Sequence, residues 1–179
     1  MKLESWEAEK RAALAAADAM ITAARTAPKA CGVDHIEMTI LDGADKDKLA
    51  EEMRAIAKKT GQTFFERDAC NVDRSHYVVV IGVTSAPRGL SDCGLCGFLN
   101  CADMEKNKGR CAMNLTDLGI AVGSAVSIAA DCRVDNRVMF SAGMAAKNLK
   151  ILPEDVKICY GIPVSVSGKN PYFDRKPLK

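Results

Sequence analysis

At 179 residues, 48% of them apolar and 27% charged, the chain is about one domain long and can bury a core of its own. A net charge of +2 with one Trp, three Tyr and five Phe supplies neither the basic field nor the stacking surface that nucleic-acid binding uses, so nucleic acid is excluded as the expected partner.

The N-terminal stretch MKLESWEAEKRAAL is charged from the start and lacks the apolar run of a secretory signal. Glu4 to Thr26 is alanine-rich, free of Gly and Pro, and apolar at Leu14, Ala17, Ile21 and Ala24, a helical spacing that Pro28 and Gly32 end. Ile36 to Leu41 alternates and reads as a strand, Asp42-Gly43 turns the chain, and a second helix runs from about Asp45 to Lys59. A less regular stretch follows through Cys70. Tyr77 to Val83, YVVVIGV, is continuous and β-branched, as in a strand buried on both faces.

Ser91 to Cys111 follows, SDCGLCGFLNCADMEKNKGRC, with the spacing Cys93-x2-Cys96-x4-Cys101-x9-Cys111. These cysteines sit among Gly, Asn, Asp and Lys rather than at apolar periodicity, which points to thiolates that hold a metal. Structural zinc usually takes two separated Cys-x-x-Cys knuckles, whereas iron-sulfur clusters take compact runs with a more distant fourth cysteine. The second pattern fits better. Four ligands suit a [2Fe-2S] or a [4Fe-4S] cluster, and the close first three favour the cubane; Gly94 and Gly97 give turn room and N–H groups toward the sulfurs. Lys106, Lys108 and Arg110 are a solvated face that could also steer an acidic electron carrier.

From Asn114 the chain is small and apolar nearly all round, which predicts a helix buried on most sides that could also carry a subunit interface. Its apolar core, Leu118 to Ala130, is broken by Gly and Ser and falls short of the roughly 20 residues a membrane span needs. With no membrane segment and no signal, the expected location is cytoplasmic, where eight cysteines argue for metal or redox chemistry rather than disulfides. Asp135-Asn136 breaks the chain, a helix is expected from about Arg137 to Asn148, and a last strand from Val156 to Pro163. No repeat or linker divides residues 1–179, so the expectation is a single α+β domain with 91–113 as an inserted cluster-binding segment.

DCGLCGFLNCADM resembles the small four-cysteine [4Fe-4S] domain of bacterial electron-transfer proteins, in which the last gap is longer than the nine residues seen here. AARTAPKACGVDHIEMTIL, the middle helix and ILPEDVKICYGIPVSVSGKNPYFDRKPL are similar, in that order, to segments of the flavin-dependent nitroreductase fold. This resemblance implies a mixed sheet flanked by helices, subunits paired as a homodimer, and FMN as a possible cofactor. Of that family's phosphate-contacting arginines only Arg175 has a counterpart, and its flavin-contacting asparagine falls on Gly32, with Cys31 beside it. As a whole the chain resembles a prokaryotic family described as ferredoxin-domain proteins, which implies an iron-sulfur protein.

The remaining cysteines, Cys31, Cys70, Cys132 and Cys159, read as ordinary small residues, although Cys31 would lie near a flavin pocket. His35 and His76 each precede a strand and form no hydrolytic pattern. The expectation is thus a protein that carries single electrons on a [4Fe-4S] cluster held by Cys93, Cys96, Cys101 and Cys111, with a redox partner protein. Two alternatives remain open: a dimeric module in which the same cysteines clip zinc, and an FMN-dependent oxidoreductase.

Overall fold

A computed structural model describes residues 2–174. Its strands are β1 (Ile36–Leu41), β2 (Tyr77–Thr84), β3 (Asp135–Asn136) and β4 (Val156–Ser165), in the sheet order β1-β2-β4-β3. Every pairing among the described residues is antiparallel, where a mixed sheet was expected. The connection explains this. Helices α2 (Gly43–Thr60) and α3 (Phe64–Asp73) leave β1 and re-enter β2 at the same end of the sheet, so Leu41 faces Val78 and Ile36 faces Val83. The α+β class stands.

The continuous apolar run of β2 is buried on both faces, as its composition predicts. Val79, Ile81 and Val83 pack under α1 (Ser5–Thr26) and α5 (Ala112–Asp131), while Val78 and Val80 pack under α2, α3 and α6 (Phe140–Asn148). Alternate side chains of a strand point to opposite faces, so one segment feeds both cores. Alanines at 13, 16, 17 and 24 of α1 and at 121, 125 and 129 of α5 are fully buried and let these two helices lie close above the sheet.

Three helices differ from the sequence reading. The irregular stretch before Cys70 is helix α3, which buries Phe65, Ala69 and Val72 on one face. Helix α6 begins at Phe140 rather than Arg137, because Met139 is extended and bridges Gly161 through two backbone hydrogen bonds of 2.9 and 3.0 Å. Helix α5 is buried on one face only, since Leu115 and Ile120 are each 39% exposed. It is 20 residues long and apolar enough to cross a membrane by length and composition, and here it packs as a core helix against α1 and the sheet.

Helix α6 meets β4 without spacing. A Cβ on Gly143 would stand 1.9 Å from the carbonyl oxygen of Cys159, so only glycine permits this contact. The thiol of Cys159 donates to the Gly143 carbonyl at 3.0 Å, and burial pushes its pKa from 9.0 up to about 11, the charge of Lys147 working the other way.

Two outcomes follow at this seam. Gly143→Ala forces backbone to move and lowers stability by about 3 kcal/mol, the upper part of the range for overpacking, as read from the urea midpoint. The folded state holds the Cys159 proton longer than the unfolded chain does, so stability falls as pH rises from about 9 through about 11; Cys159→Ala flattens that part of the stability–pH curve. Iodoacetamide at pH 8 labels exposed Cys31 and Cys132 and spares Cys159 until the chain unfolds; early labelling of Cys159 would contradict its placement.

Candidate metal centre

Between the end of β2 and the start of α5 the chain has little regular structure, so its polar backbone must be satisfied by side chains. Asn114, in the first turn of α5 and 2% exposed, donates through Nδ2 to the carbonyls of Thr84 (3.1 Å) and Ala86 (2.6 Å). Arg88 donates through Nη1 to the Val33 carbonyl at 2.6 Å and forms an ion pair through Nη2 with Asp117 of α5. The Asp117 carboxylate also accepts from the Ala30 amide at 3.0 and 3.2 Å. These three side chains fasten the base of the cysteine segment to α5 and to the turn that carries Cys31.

The pair is buried, with side chains 2% and 4% exposed. Removing one partner from such a pair typically costs about 3–5 kcal/mol, because the other charge is left uncompensated. The Arg88 Nε is buried without a partner, an omission that ordinarily costs about 1–3 kcal/mol or more for a charged group.

Beyond Arg88 the segment turns around its cysteines. The Gly97 amide donates to the Gly94 carbonyl at 2.9 Å, and both glycines have positive φ, 80° and 58°, which closes a tight turn around Cys96. Cys101 opens the short helix α4 (Cys101–Lys106), capped by the Asn100 side chain, which accepts from the Asp103 amide at 2.9 Å. The other end of α4 is closed by Lys108 at φ 53°, with bonds from Lys108 N to Glu105 O and from Gly109 N to Met104 O. Gly109 lies beneath the ring of Phe98, where a Cβ would sit 2.5 Å from a ring carbon. Two residues later Cys111 caps the N-terminus of α5, 8% exposed.

Cys93, Cys96, Cys101 and Cys111 therefore line one small cavity of about 20 Å³, with Arg88, Phe98 and Met104 in its wall. The first three are half-buried. Cys101 makes only a long contact to the Leu90 carbonyl, 3.9 Å. Among the described residues no three His, Cys, Asp or Glu side chains are gathered as ligands of a single ion. The donor set nonetheless fits a polynuclear centre: four soft thiols line one wall, with Cys111 at the N-terminus of a 20-residue helix. Leu95 and Leu99 are 64% and 83% exposed on the outer side of this segment.

The other residues singled out by sequence lie apart. Cys31 is exposed, at φ 57° in the turn Ala30–Gly32; Cys70 lies on α3 and Cys132 at the end of α5. His35 and His76 flank strands: the His35 carbonyl accepts from Thr84 and the His76 amide donates to Val164. Lys106, Lys108 and Arg110 are exposed, Arg110 bending back onto the carbonyls of Lys108 and Gly109. Arg175 lies outside the described residues. The cations nearest the Cys31 turn are committed elsewhere, Lys29 to the carbonyls of Ala24, Arg25 and Ala27 and Arg25 to Asp34 and the Ile36 carbonyl. Burial raises the Asp34 pKa, but hydrogen bonds from Arg25 and the Ile36 amide, with the charges of Arg25 and Lys29, bring it below the ordinary carboxylate value. These two cations do not form a free phosphate cradle. Sequence reasoning missed Arg88, Asn114 and Asp117, though an Asn and an Asp three apart at the head of an otherwise apolar helix were a visible signal.

Comparison with known proteins places this geometry. Eight-tenths or more of the chain superposes on nitroreductase-type structures: a nitroreductase with bound FMN from Desulfitobacterium hafniense (TM-score 0.60, 12% identity, 87% of this chain and 78% of that one) and another with bound FMN from Bacteroides fragilis (TM-score 0.58, 13% identity, 92% and 83%). A putative NADH dehydrogenase/NAD(P)H nitroreductase from Bacteroides thetaiotaomicron is similar at TM-score 0.56 and 13% identity, over 92% and 78%. At these identities the likeness shows the fold, which is nitroreductase-like. An uncharacterized protein of Archaeoglobus fulgidus is 40% identical over 168 residues, 89% of this chain and 90% of that protein. Residues 107–175, which include Cys111, match the model of a family described as uncharacterized proteins containing a ferredoxin domain. With that identity over nearly its whole length the chain belongs to one family with the Archaeoglobus fulgidus protein, and its residues 107–175 carry the match to the ferredoxin-domain model.

Proposed function

We propose that the chain is an iron-sulfur protein that holds a [4Fe-4S] cluster on Cys93, Cys96, Cys101 and Cys111 and serves electron transfer or a reductase-type reaction. The observation that carries this reading is the single cavity that all four cysteines line. The match of residues 107–175 to the model of a ferredoxin-domain family supports it. When bound, such a cluster takes up and releases one electron at a time.

The chain's own residues do the rest. The four thiolates hold the group, the first turn of α5 presents amide dipoles to Cys111, and Phe98 with Met104 keeps water from the inner wall. Segment 91–113 works as an insertion in one domain spanning 1–179. Exposed Leu95 and Leu99, in the same segment as exposed Lys106 and Lys108, give a redox partner protein an apolar contact and an acidic one a charge to meet. All eight cysteines are free thiols, which suits a reducing cytoplasm. FMN is named for the nitroreductases of like fold; here its phosphate would have to rely on Arg175, since Arg25 and Lys29 are otherwise engaged.

Anaerobically purified protein is expected to contain about four irons and four sulfides per chain with broad absorbance near 400 nm, as a cubane on four thiolates does. Cys96→Ala is expected to lose most of that iron. Stoichiometric zinc without colour would overturn the cluster reading in favour of a structural clip, and stoichiometric flavin without iron would favour the oxidoreductase.

The exposed face of α5, with Leu115, Gly119, Ile120 and Gly123, supports pairing of two copies through this helix, since neither glycine has another atom near where a Cβ would stand. Light scattering at micromolar concentration is expected to give a dimer, and Ile120→Glu a monomer. A monomeric wild type would refute the pairing and leave the metal centre standing.

A further inference from the structure

The cysteine cavity has one charged side chain in its wall, Arg88. Its side chain is 2% exposed, which places a guanidinium where water does not reach it. Two of its three nitrogens are committed, Nη1 to the Val33 carbonyl and Nη2 to Asp117. The third, Nε, is buried and has no partner among the described residues. A fixed, always-charged donor in a dry wall is stable only if something accepts from it, and the soft acceptors on that wall are the cysteine sulfurs.

We infer that the Nε–H of Arg88 is the hydrogen-bond donor to the sulfur of the metal centre, so that Arg88 positions the cluster and sets its potential. This rests on the iron-sulfur reading above. Asp117 compensates the guanidinium charge, and its own bond from the Ala30 amide holds the pair in place, which fixes the guanidinium of a residue that lines the cavity. A donor to sulfur stabilises the more negative, reduced state of a cluster. The same pair ties the cavity wall to the turn of Cys31 through two hydrogen bonds, one from Arg88 to Val33 and one from Ala30 to Asp117.

The test is a redox titration of anaerobically prepared wild type and Arg88→Lys, each first assayed for iron. Lysine keeps a charge that can pair with Asp117 but has no equivalent of the planar fork. With iron content equal to wild type, the ratio of reduced to oxidised cluster at a fixed ambient potential is expected to fall about tenfold, which corresponds to 59 mV for a one-electron couple. An unchanged ratio at full iron would overturn the role of Arg88 and leave the cluster assignment intact. Zinc in place of iron in the wild type would overturn both. Should Arg88→Lys fail to fold, pulsed EPR on the reduced wild-type protein grown with 15N-arginine decides the matter. A 15N coupling to the cluster, retained in Arg110→Lys, is expected, and its absence would refute the hydrogen bond.

Discussion

The ion pair between Arg88 and Asp117 is the constraint on which the cysteine segment depends. Sixteen residues separate β2 from α4, and almost none of their backbone groups belong to a ladder or a helix. A segment of that kind has a high conformational entropy to lose and little of its own to offset it. Burying two charges is itself expensive, and an apolar pair of similar volume would often be as stable. What the ion pair adds is direction: a guanidinium has donors in a rigid plane, so it can hold Val33, Asp117 and the cavity wall in one geometry. Asn114 does the neutral version of the same task at the Thr84 and Ala86 carbonyls.

The scaffold beneath makes that anchoring precise because it cannot easily move. Both faces of β2 are covered by helices, and the two covering layers approach the sheet at small residues, alanines on α1 and α5 and glycines at 143 and 161 on the α6 side. Close-packed interiors respond poorly to volume changes. The first turn of α5 is therefore a fixed platform, and Cys111, Asn114 and Asp117 all stand on it. One rigid helix end thus supplies a thiol, an amide and a carboxylate to a segment that could not order itself.

The parts of this arrangement that could be read from sequence are those set by local chemistry. Strand β1 and helix α1 fall where alternation and helical spacing place them, and the run Tyr77 to Val83 reads as doubly buried because no solvent face interrupts it. The four cysteines were legible as a group because their surroundings are polar and turn-forming. Helix α3 was not, because FFERDACNVD mixes charge with aromatics and its apolar face shows only at Phe65, Ala69 and Val72. The start of α6 was hidden for a different reason: a backbone bridge from Met139 to Gly161 joins residues 22 positions apart, and no local pattern announces it. The antiparallel sheet depends likewise on where α2 and α3 return the chain. Arg88 was invisible as a wall residue because Ser-Ala-Pro-Arg-Gly reads as an exposed loop, and only its meeting with Asp117 buries it.

A redox centre has to satisfy two opposed requirements. It must exclude water well enough to fix its potential, yet lie near enough to the surface for electrons to reach it. On the iron-sulfur reading proposed above, the cysteine segment meets both by its asymmetry. Its inner wall is Phe98, Met104, Cys111 and the buried guanidinium, all fixed by α5 and by the turn at Gly109. Its outer side is Leu95, Leu99 and a basic edge, exposed and free of the hydrogen-bond network that holds the base. On that reading the exposed side is where a redox partner protein would meet the site.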